Sequence, residues 1–149
     1  MNYVLDTNVI LFYLKGDQAS SLIEHELKPF HEDNTAIISV VTIAEIGVLA
    51  RRNNWGVRRI KIAEQLYRKL LIVDINSQDI IDAYIDVDSF SQGKHPSKKL
   101  KGSARNMGKN DVWIAATTIV TNSELITFDK DFAHLDDKFF KVRLLDTYF

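Results

Sequence analysis

The stretch Tyr3-Val4-Leu5-Asp6-Thr7-Asn8-Val9-Ile10 decides the fold, because an apolar strand passes directly into a helix with an acid at the junction. Tyr3–Leu5 is typical of a short buried strand. Asn8 is a residue type that caps helices, here one over Val9–Leu14, and Gly16 is predicted to end that helix. A strand followed at once by a helix is typical of an α/β fold with mostly parallel strands.

The same alternation of apolar runs and helical patterns continues along the chain. Helical spacing of apolar residues and N-cap residues at Ser39 and Ser77 set the helix limits. Further strands are predicted at Ala36–Ile38, Leu71–Val73, Leu125–Thr127 and Val142–Leu145. Further helices are predicted over Gln18–Leu27, from Val40 to about Arg52, over Val57–Lys69, from Ser77 to about Asp88, and over Val112–Val120.

The composition favours one soluble α/β domain over residues 1–149. The chain has 149 residues, of which 46% are hydrophobic, and it contains no cysteine. Disulfides, zinc–thiolate sites and thiol catalysis are therefore excluded. No apolar run approaches the roughly 20 residues that a membrane span needs, and the start lacks the features of a signal peptide. A cytoplasmic protein without membrane contact is expected.

Acidic residues follow the predicted strands or interrupt apolar helices. Asp6 and Asp129 come directly after strands, Asp111 opens the most apolar helix, and Glu45 lies on an apolar helix face, with Asp131 close behind Asp129. In open parallel sheets, ligands bind beyond the carboxyl ends of the strands. Each acid also has a plain explanation as a cap or turn residue. Glu45 is the hardest to explain that way, because a carboxylate on an apolar face needs a partner or a metal.

Positive charge is concentrated in one segment although the formal net charge is only −1. Residues 91–109 are rich in Gly, Ser and Lys and predict a long exposed basic loop inserted before the helix at Asp111. Such a patch can bind phosphates even when the total charge is not basic. The candidate RNA-binding residues are Lys94, Lys98, Lys99, Lys101, Arg105 and Lys109.

Four segments of the chain resemble the PIN-domain family, and within it the VapC-type toxin ribonucleases. They occur in the family's order and extend over nearly the whole chain, which makes them far more specific than one short Asp-Thr-Asn motif. The segments are Leu5-Asp6-Thr7-Asn8-Val9-Ile10, Ser39-Val40-Val41-Thr42-Ile43-Ala44-Glu45-Ile46, Gly108-Lys109-Asn110-Asp111-Val112-Trp113-Ile114-Ala115-Ala116, and Ile126-Thr127-Phe128-Asp129-Lys130-Asp131-Phe132.

The resemblance implies a three-layer α/β/α domain with about five strands, and metal-dependent cleavage of RNA. It matches Asp6, Glu45 and Asp111 to the family's first three catalytic acids and Asp129 to the fourth, with Asp131 as a further metal ligand. Mg²⁺ or Mn²⁺ is the implied cofactor, because these hard cations prefer carboxylate oxygens.

The resemblance also implies supporting residues and partners. Asn8 matches a polar residue that orients the first acid, and Thr127 matches a hydroxyl that accompanies the site. The implied partners are an RNA substrate, a small antitoxin protein that blocks the site, and a second copy in a homodimer.

Other interpretations of the same residues remain open. A phosphatase that forms a phosphoaspartate also begins with a strand and an aspartate, but it needs a second aspartate where this chain has Asn8. A housekeeping RNA-processing nuclease is an alternative within the same class of enzyme. A non-catalytic RNA- or protein-binding module with the same fold is an alternative from a different class.

Overall fold

The structure is a computed structural model that describes residues 1–146, apart from the side chains of residues 17–19. Five strands and six α-helices alternate along these residues. The strands are β1 (Asn2–Leu5), β2 (Thr35–Ser39), β3 (Leu71–Val73), β4 (Glu124–Thr127) and β5 (Val142–Leu144). The helices are α1 (Thr7–Leu14), α2 (Asp17–Glu26), α3 (Val40–Arg52), α4 (Val57–Tyr67), α5 (Gln78–Ser91) and α6 (Lys109–Val120).

The strands form one parallel sheet in the order β3-β2-β1-β4-β5. Leu5 of β1 lies opposite Ile126 of β4, so these two strands end side by side. The chain builds outward from β1 to β3 on one side and from β4 to β5 on the other. The strand order therefore reverses between β1 and β4, which is where ligands bind in open parallel sheets.

Helices cover both faces of the sheet. Tyr3 and Leu5 point into a core shared with α1, α2 and α4, whereas Val4 points into a core shared with α5 and α6. This alternation is the period of two that a strand imposes on its side chains. The central strands of the sheet are covered by helices on both faces, and their residues are therefore almost all apolar. The predicted three-layer α/β/α domain is thus confirmed.

Local capping explains where the helices begin. Ser39 and Ser77 cap α3 and α5 as predicted, their side chains accepting hydrogen bonds from Val41 N (3.2 Å) and Ile80 N (3.4 Å). The predicted Asn8 cap is wrong, because α1 begins at Thr7 with Asp6 as its N-cap. Asp6 has an extended backbone and a side chain that can accept from Thr7 N, so the helix starts two residues earlier.

The basic segment is a packed loop over residues 92–108, since α5 extends to Ser91 and α6 begins at Lys109. His95 is mostly buried, with its Nε2 3.6 Å from Asp86 Oδ1, and its Nδ1 accepts from Lys98 N at 3.0 Å. Arg105 N donates a 2.7 Å hydrogen bond to Ser91 O at the far end of the loop. The loop is therefore held at both ends against the rest of the domain.

A short 3-10 helix at Lys130–Leu135, directly after β4, was not predicted from the sequence. Phe132 and Leu135 of this turn are fully buried against the α5 and α6 side of the sheet. Nowhere in residues 1–146 is there a helix with the length and apolar character to cross a bilayer.

Candidate active site

Asp6 is fixed at the point where the strand order reverses. Its backbone N–H donates to Ile126 O at 3.0 Å, which continues the pairing of β1 with β4 by one residue. Its side chain is only 3% exposed and accepts from Thr7 N at Oδ1 (2.8 Å) and from Thr127 Oγ1 at Oδ2 (2.7 Å). Both carboxylate oxygens are therefore oriented by donors from different elements.

Glu45 is held beside the same strand end by two threonines. Thr7 Oγ1 donates a 2.8 Å hydrogen bond to Glu45 Oε1 and lies 3.1 Å from Thr42 Oγ1. Thr7 and Thr42 are both buried. The partner that Glu45 was expected to need on the apolar face of α3 is thus a pair of threonine hydroxyls. Thr7 binds only Oε1 of Glu45, so Oε2 is not part of this hydrogen bond.

Thr7 and Thr42 belong to the site although neither was predicted to do so from the sequence. Thr42 precedes Glu45 by three residues on α3, a spacing that places two side chains on one helix face. Thr7 directly follows Asp6 at the end of β1. These two spacings were the available signals. The hydrogen bond from Thr7 to Glu45, however, joins residues 38 apart in the chain and depends on how α1 packs on α3.

Asp129 and Asp131 follow β4 as predicted. Asp129 N donates to Thr127 Oγ1 at 2.9 Å, and Asp129 Oδ1 accepts from Asp131 N at 2.8 Å. Asp129 thereby caps the 3-10 helix that begins at Lys130. Asp129 is half-buried and Asp131 is exposed, so Asp129 is the one tied more closely to the strand end.

Asp111 lies in the first turn of α6 and is not its cap. The N-cap residue is Gly108, which has no side chain to cap the helix, and a Cβ built on it would lie 3.6 Å from Asp111 Oδ2. The explanation of Asp111 as a simple cap residue is therefore wrong. A carboxylate in the first turn is still favoured by the partial positive charge of the helix N-terminus.

Electrostatics link all five acids. Burial, followed by the charges of Asp129 and Glu45, raises the pKa of Asp6 to about 6 even though hydrogen bonds from Thr127 and Thr7 lower it. The pKa of Asp111 is raised to about 7, mainly by burial and then by four other carboxylates. Those four are Asp6, Asp129, Glu45 and Asp131. Side chains from four separate segments therefore feel one another's charge at one end of the sheet.

The donor set fits a hard divalent cation. Carboxylates in mutual repulsion are stabilised by a cation, and their oxygens are the ligands that Mg²⁺ and Mn²⁺ prefer. Among the described side chains, no three His, Asp or Glu residues stand close enough to enclose an ion on their own. An ion such as Mg²⁺ usually keeps several waters and takes only one or two carboxylates directly, so a closed cage is not required.

The predicted RNA-binding cations are all exposed, but the structure places them differently. Lys109 begins α6 two residues before Asp111, and the charge of Arg105 reaches His134 in the 3-10 helix after β4. Lys98 lies with its Nζ 5.3 Å from the ring centre of Phe139. Lys94, Lys99 and Lys101 have no described contact with the carboxylates.

Of the two predicted supporting residues, one is placed against Asp6. Thr127 is fully buried and donates to Asp6 directly. Asn8 is exposed, and the described donors to the Asp6 carboxylate are Thr7 and Thr127. The backbone N–H of Thr7 and the hydroxyl of Thr127 orient Asp6, and the orienting role of Asn8 stays a prediction.

A groove of about 310 Å³ adjoins the carboxylates on the α3 side. Glu45, Arg52 and Asn110 contribute to its walls. An exposed arginine therefore shares a groove with one of the acids and with the first turn of α6. A phosphate-bearing strand that reached the carboxylates from this side would meet a positive charge on the way.

Similarity to known proteins agrees with this geometry. A curated relative, Ribonuclease VapC1 of Haemophilus influenzae, is 27% identical over 140 residues, which cover 92% of this chain and 94% of the relative. A solved structure of VapBC2 from Rickettsia felis, bound to a DNA fragment from its promoter, aligns with a TM-score of 0.77 at 20% identity over 98% of this chain and 100% of that chain. VapBC-1 from nontypeable Haemophilus influenzae aligns with a TM-score of 0.72 at 23% identity over 97% and 98%.

The family assignment rests on a match that covers most of the domain. The PIN domain family model matches residues 3–138, which include the strand ends, the carboxylate-bearing helices and the basic loop. The two structural likenesses show the same fold over nearly the whole chain. The parallel sheet, the reversal of strand order beside Asp6 and the family match lead to one assignment, and the chain belongs to the PIN domain family.

Proposed function

We propose that this protein is a metal-dependent endoribonuclease that acts as the toxin of a toxin–antitoxin pair. The observation that carries the proposal is that Thr127 bonds both Asp6 and the backbone of Asp129, while Thr7 holds Glu45 beside them, at the reversal of strand order. A cluster of this kind repels an RNA phosphate unless a cation is present. The similarity to Ribonuclease VapC1 supports RNA as the substrate.

The carboxylates themselves need a cation. Two carboxylates 4 Å apart repel by about 4 kcal/mol at an effective dielectric of about 20. A bound Mg²⁺ or Mn²⁺ supplies a Lewis acid that activates water and neutralises charge on the phosphate. In this proposal Asp6, Asp111 and Asp129 hold the ion, one or two of them directly and the rest through its waters, and Asp131 is a further ligand or supports one.

The residues around the ligands have separate tasks. Thr127 and Thr7 hold Asp6 with both oxygens oriented, which keeps its position fixed when the ion enters. Glu45 keeps one oxygen bonded to Thr7 and uses the other to orient the attacking water. Lys109 and Arg105, at the end of the basic loop nearest α6, contact phosphates of the substrate.

The toxin role follows from the solved relatives. Several of the aligned structures are complexes of VapB and VapC proteins, and one is described as a toxin–antitoxin complex from Klebsiella pneumoniae. We infer that a small antitoxin covers the carboxylate end of this sheet as well. We also infer a homodimer.

RNA cleavage by the purified protein tests the enzyme. Cleavage of a structured RNA should require Mg²⁺ or Mn²⁺, stop with a chelator, and disappear in Asp6→Asn. Asp137→Asn makes the same change at an exposed acid outside the carboxylate cluster and should cleave normally. RNA that stays intact with every divalent ion would contradict the enzyme and favour a binding module.

Expression in cells tests the biological role. The wild-type protein should arrest growth, whereas Asp6→Asn at the same level should not. Coexpression of a small DNA-binding protein encoded next to this chain should restore growth. A wild-type protein that cleaves RNA in solution but leaves growth unaffected would instead indicate a housekeeping nuclease.

A further inference from the structure

A second cleft, of about 510 Å³, shares Leu49 of α3 with the Arg52 groove. Its walls come from α1, the end of α3, the turn into α4 and the residue after β4. The side chains that matter most are Phe12, Trp55, Arg59 and Phe128. We call this the Trp55 cleft.

The wall of the Trp55 cleft includes chain neighbours of two of the acids. Phe128 stands immediately before Asp129, and Asn8 stands two residues after Asp6. Both residues are part of the cleft wall. A chain bound with one phosphate at the carboxylates therefore has its neighbouring nucleotide within reach of this cleft.

The wall of the cleft is aromatic. The rings of Phe12 and Phe128 lie 5.1 Å apart at an angle of 52°. The guanidinium carbon of Arg59 lies over the Trp55 ring, 4.1 Å from its centre, so the cation covers one face of the indole and is held flat by it. Unstacked RNA bases bind to surfaces of this kind, by stacking on aromatic rings and arginine planes.

The charge of the cleft lining points to a ligand. The lining contains Lys15 and Arg59 and no acidic residue. This charge is opposite to that of the adjoining carboxylates and matches a phosphate on either side of a bound base.

We propose that the Trp55 cleft binds one base of the RNA, next to the phosphate that is cleaved. The proposal rests on the proposed function, because it takes RNA as the substrate. The base stacks on the Arg59 guanidinium, which the Trp55 ring supports, beside the Phe12 and Phe128 rings, while Lys15 and Arg59 balance the charge of the RNA. Stacking tolerates any base, so this subsite provides affinity and register more than sequence preference.

A binding experiment tests the cleft without relying on cleavage. In the variant Asp6→Asn/Trp113→Phe, Trp55 is the single tryptophan and its emission reports on the cleft. A single-stranded hexaribonucleotide should quench this emission with the same affinity that calorimetry measures. Inorganic polyphosphate of equal charge should bind without quenching, because it carries no bases.

Cleavage kinetics test the position of the base. In wild-type protein, removing one base beside the cleavage site should raise KM about tenfold, the size expected for one lost base stack. The same abasic substrate should have no extra effect in Trp55→Leu, whereas Trp55→Phe should restore most of the difference. Circular dichroism of the variants verifies that they are folded.

The outcomes separate the two proposals. RNA that is bound without quenching Trp55, or not bound at all, overturns the base subsite, and in the first case leaves the cleft to a protein partner. An abasic effect that is equal in wild type and Trp55→Leu also overturns it, while cleavage itself still supports the nuclease. Quenching without cleavage by wild-type protein supports the subsite and contradicts the nuclease.

Discussion

The hydroxyl of Thr127 joins the two strand ends of the site, because it donates to Asp6 Oδ2 at 2.7 Å and accepts from Asp129 N at 2.9 Å. It lies at the end of β4, and Asp6 follows β1. The buried hydroxyl of Thr127 thus positions the Asp6 side chain as a donor and the Asp129 backbone as an acceptor. Residues 121 apart in the chain become a single unit at the reversal of strand order.

Thr127→Val should weaken metal binding more than folding. Valine keeps the shape but removes the donor to Asp6 and the acceptor for Asp129 N, so apparent Mg²⁺ affinity should fall by about 10- to 100-fold. The matched control is Thr118→Val in α6, where a buried hydroxyl donates to Ile114 O at 2.9 Å. Both variants should lose about 1 kcal/mol of unfolding free energy. Equal Mg²⁺ affinities in the two variants would contradict the positioning role.

Asp6→Asn should stabilise the metal-free protein at neutral pH. Burial raises the pKa of Asp6 from its usual 3.8 to about 6, so between these values the folded chain binds more protons than the unfolded chain. The contribution of Asp6 to the unfolding free energy is therefore fully present below about pH 4, where the carboxyl is protonated in both states. It is lost as the pH rises through about 6, where the folded carboxyl ionises. A shift of this size corresponds to about 3 kcal/mol. Asparagine can replace both hydrogen bonds, because the Thr127 hydroxyl can also accept.

Urea unfolding in chelator at several pH values measures this difference. The unfolding free energy of Asp6→Asn should exceed that of wild type by an amount that grows from pH 4.5 to 7.5. Asp137→Asn serves as the control and should follow wild type throughout. A variant that is less stable than wild type at pH 7.5 would show that the carboxylates do not repel in the folded protein.

The sequence predicted the parts of this site that depend on local pattern. The strand at Leu71–Val73 and the Ser39 cap follow from apolar runs and capping chemistry, and Asp6 and Asp129 fall at one edge because parallel strands share their direction. The Thr7 bond to Glu45 depends on how α1 packs on α3, which no local pattern contains. The cap of α1 was misplaced because Asn8 and Asp6 are both good caps, and only the end of β1 decides between them.

Metal binding should release protons. The pKa of Asp111 is raised to about 7 and that of Asp6 to about 6, so both carry protons part of the time at pH 6.5. A dication favours their ionised forms, and about one proton should leave for each ion bound. Calorimetry of Mg²⁺ binding in two buffers with different ionisation enthalpies measures that number. Apparent affinity should rise from pH 5.5 to 7.5.

Asp111→Asn gives the control for proton release. It removes the group with the higher pKa, so the number of released protons should fall and the pH dependence should flatten. The remaining carboxylates should still bind the ion, although more weakly. Heats that are identical in both buffers for wild-type protein would contradict a cluster that is partly protonated without metal.

Salt dependence should show which part of the basic loop meets RNA. Lys109 opens α6 beside Asp111, and Arg105 lies near the 3-10 helix, whereas Lys98 packs over Phe139. Each phosphate contact contributes about 0.7 to the slope of log affinity against log salt for a single strand. Lys109→Gln and Arg105→Gln in the inactive Asp6→Asn protein should therefore each reduce the slope by about that amount.

Lys141→Gln is the matched control for the loop cations, because Lys141 is exposed and its Nζ lies 4.0 Å from Asp136 Oδ2. The slope of log affinity against log salt for Lys141→Gln should equal that of the parent protein. Lys98→Gln should change the slope less than Lys109→Gln, since the Lys98 ammonium is held over the Phe139 ring, whereas Lys109 lies two residues before Asp111. If all four variants keep the parent slope, the loop does not contact phosphates, and Arg52 in the groove beside Glu45 becomes the cation to replace next.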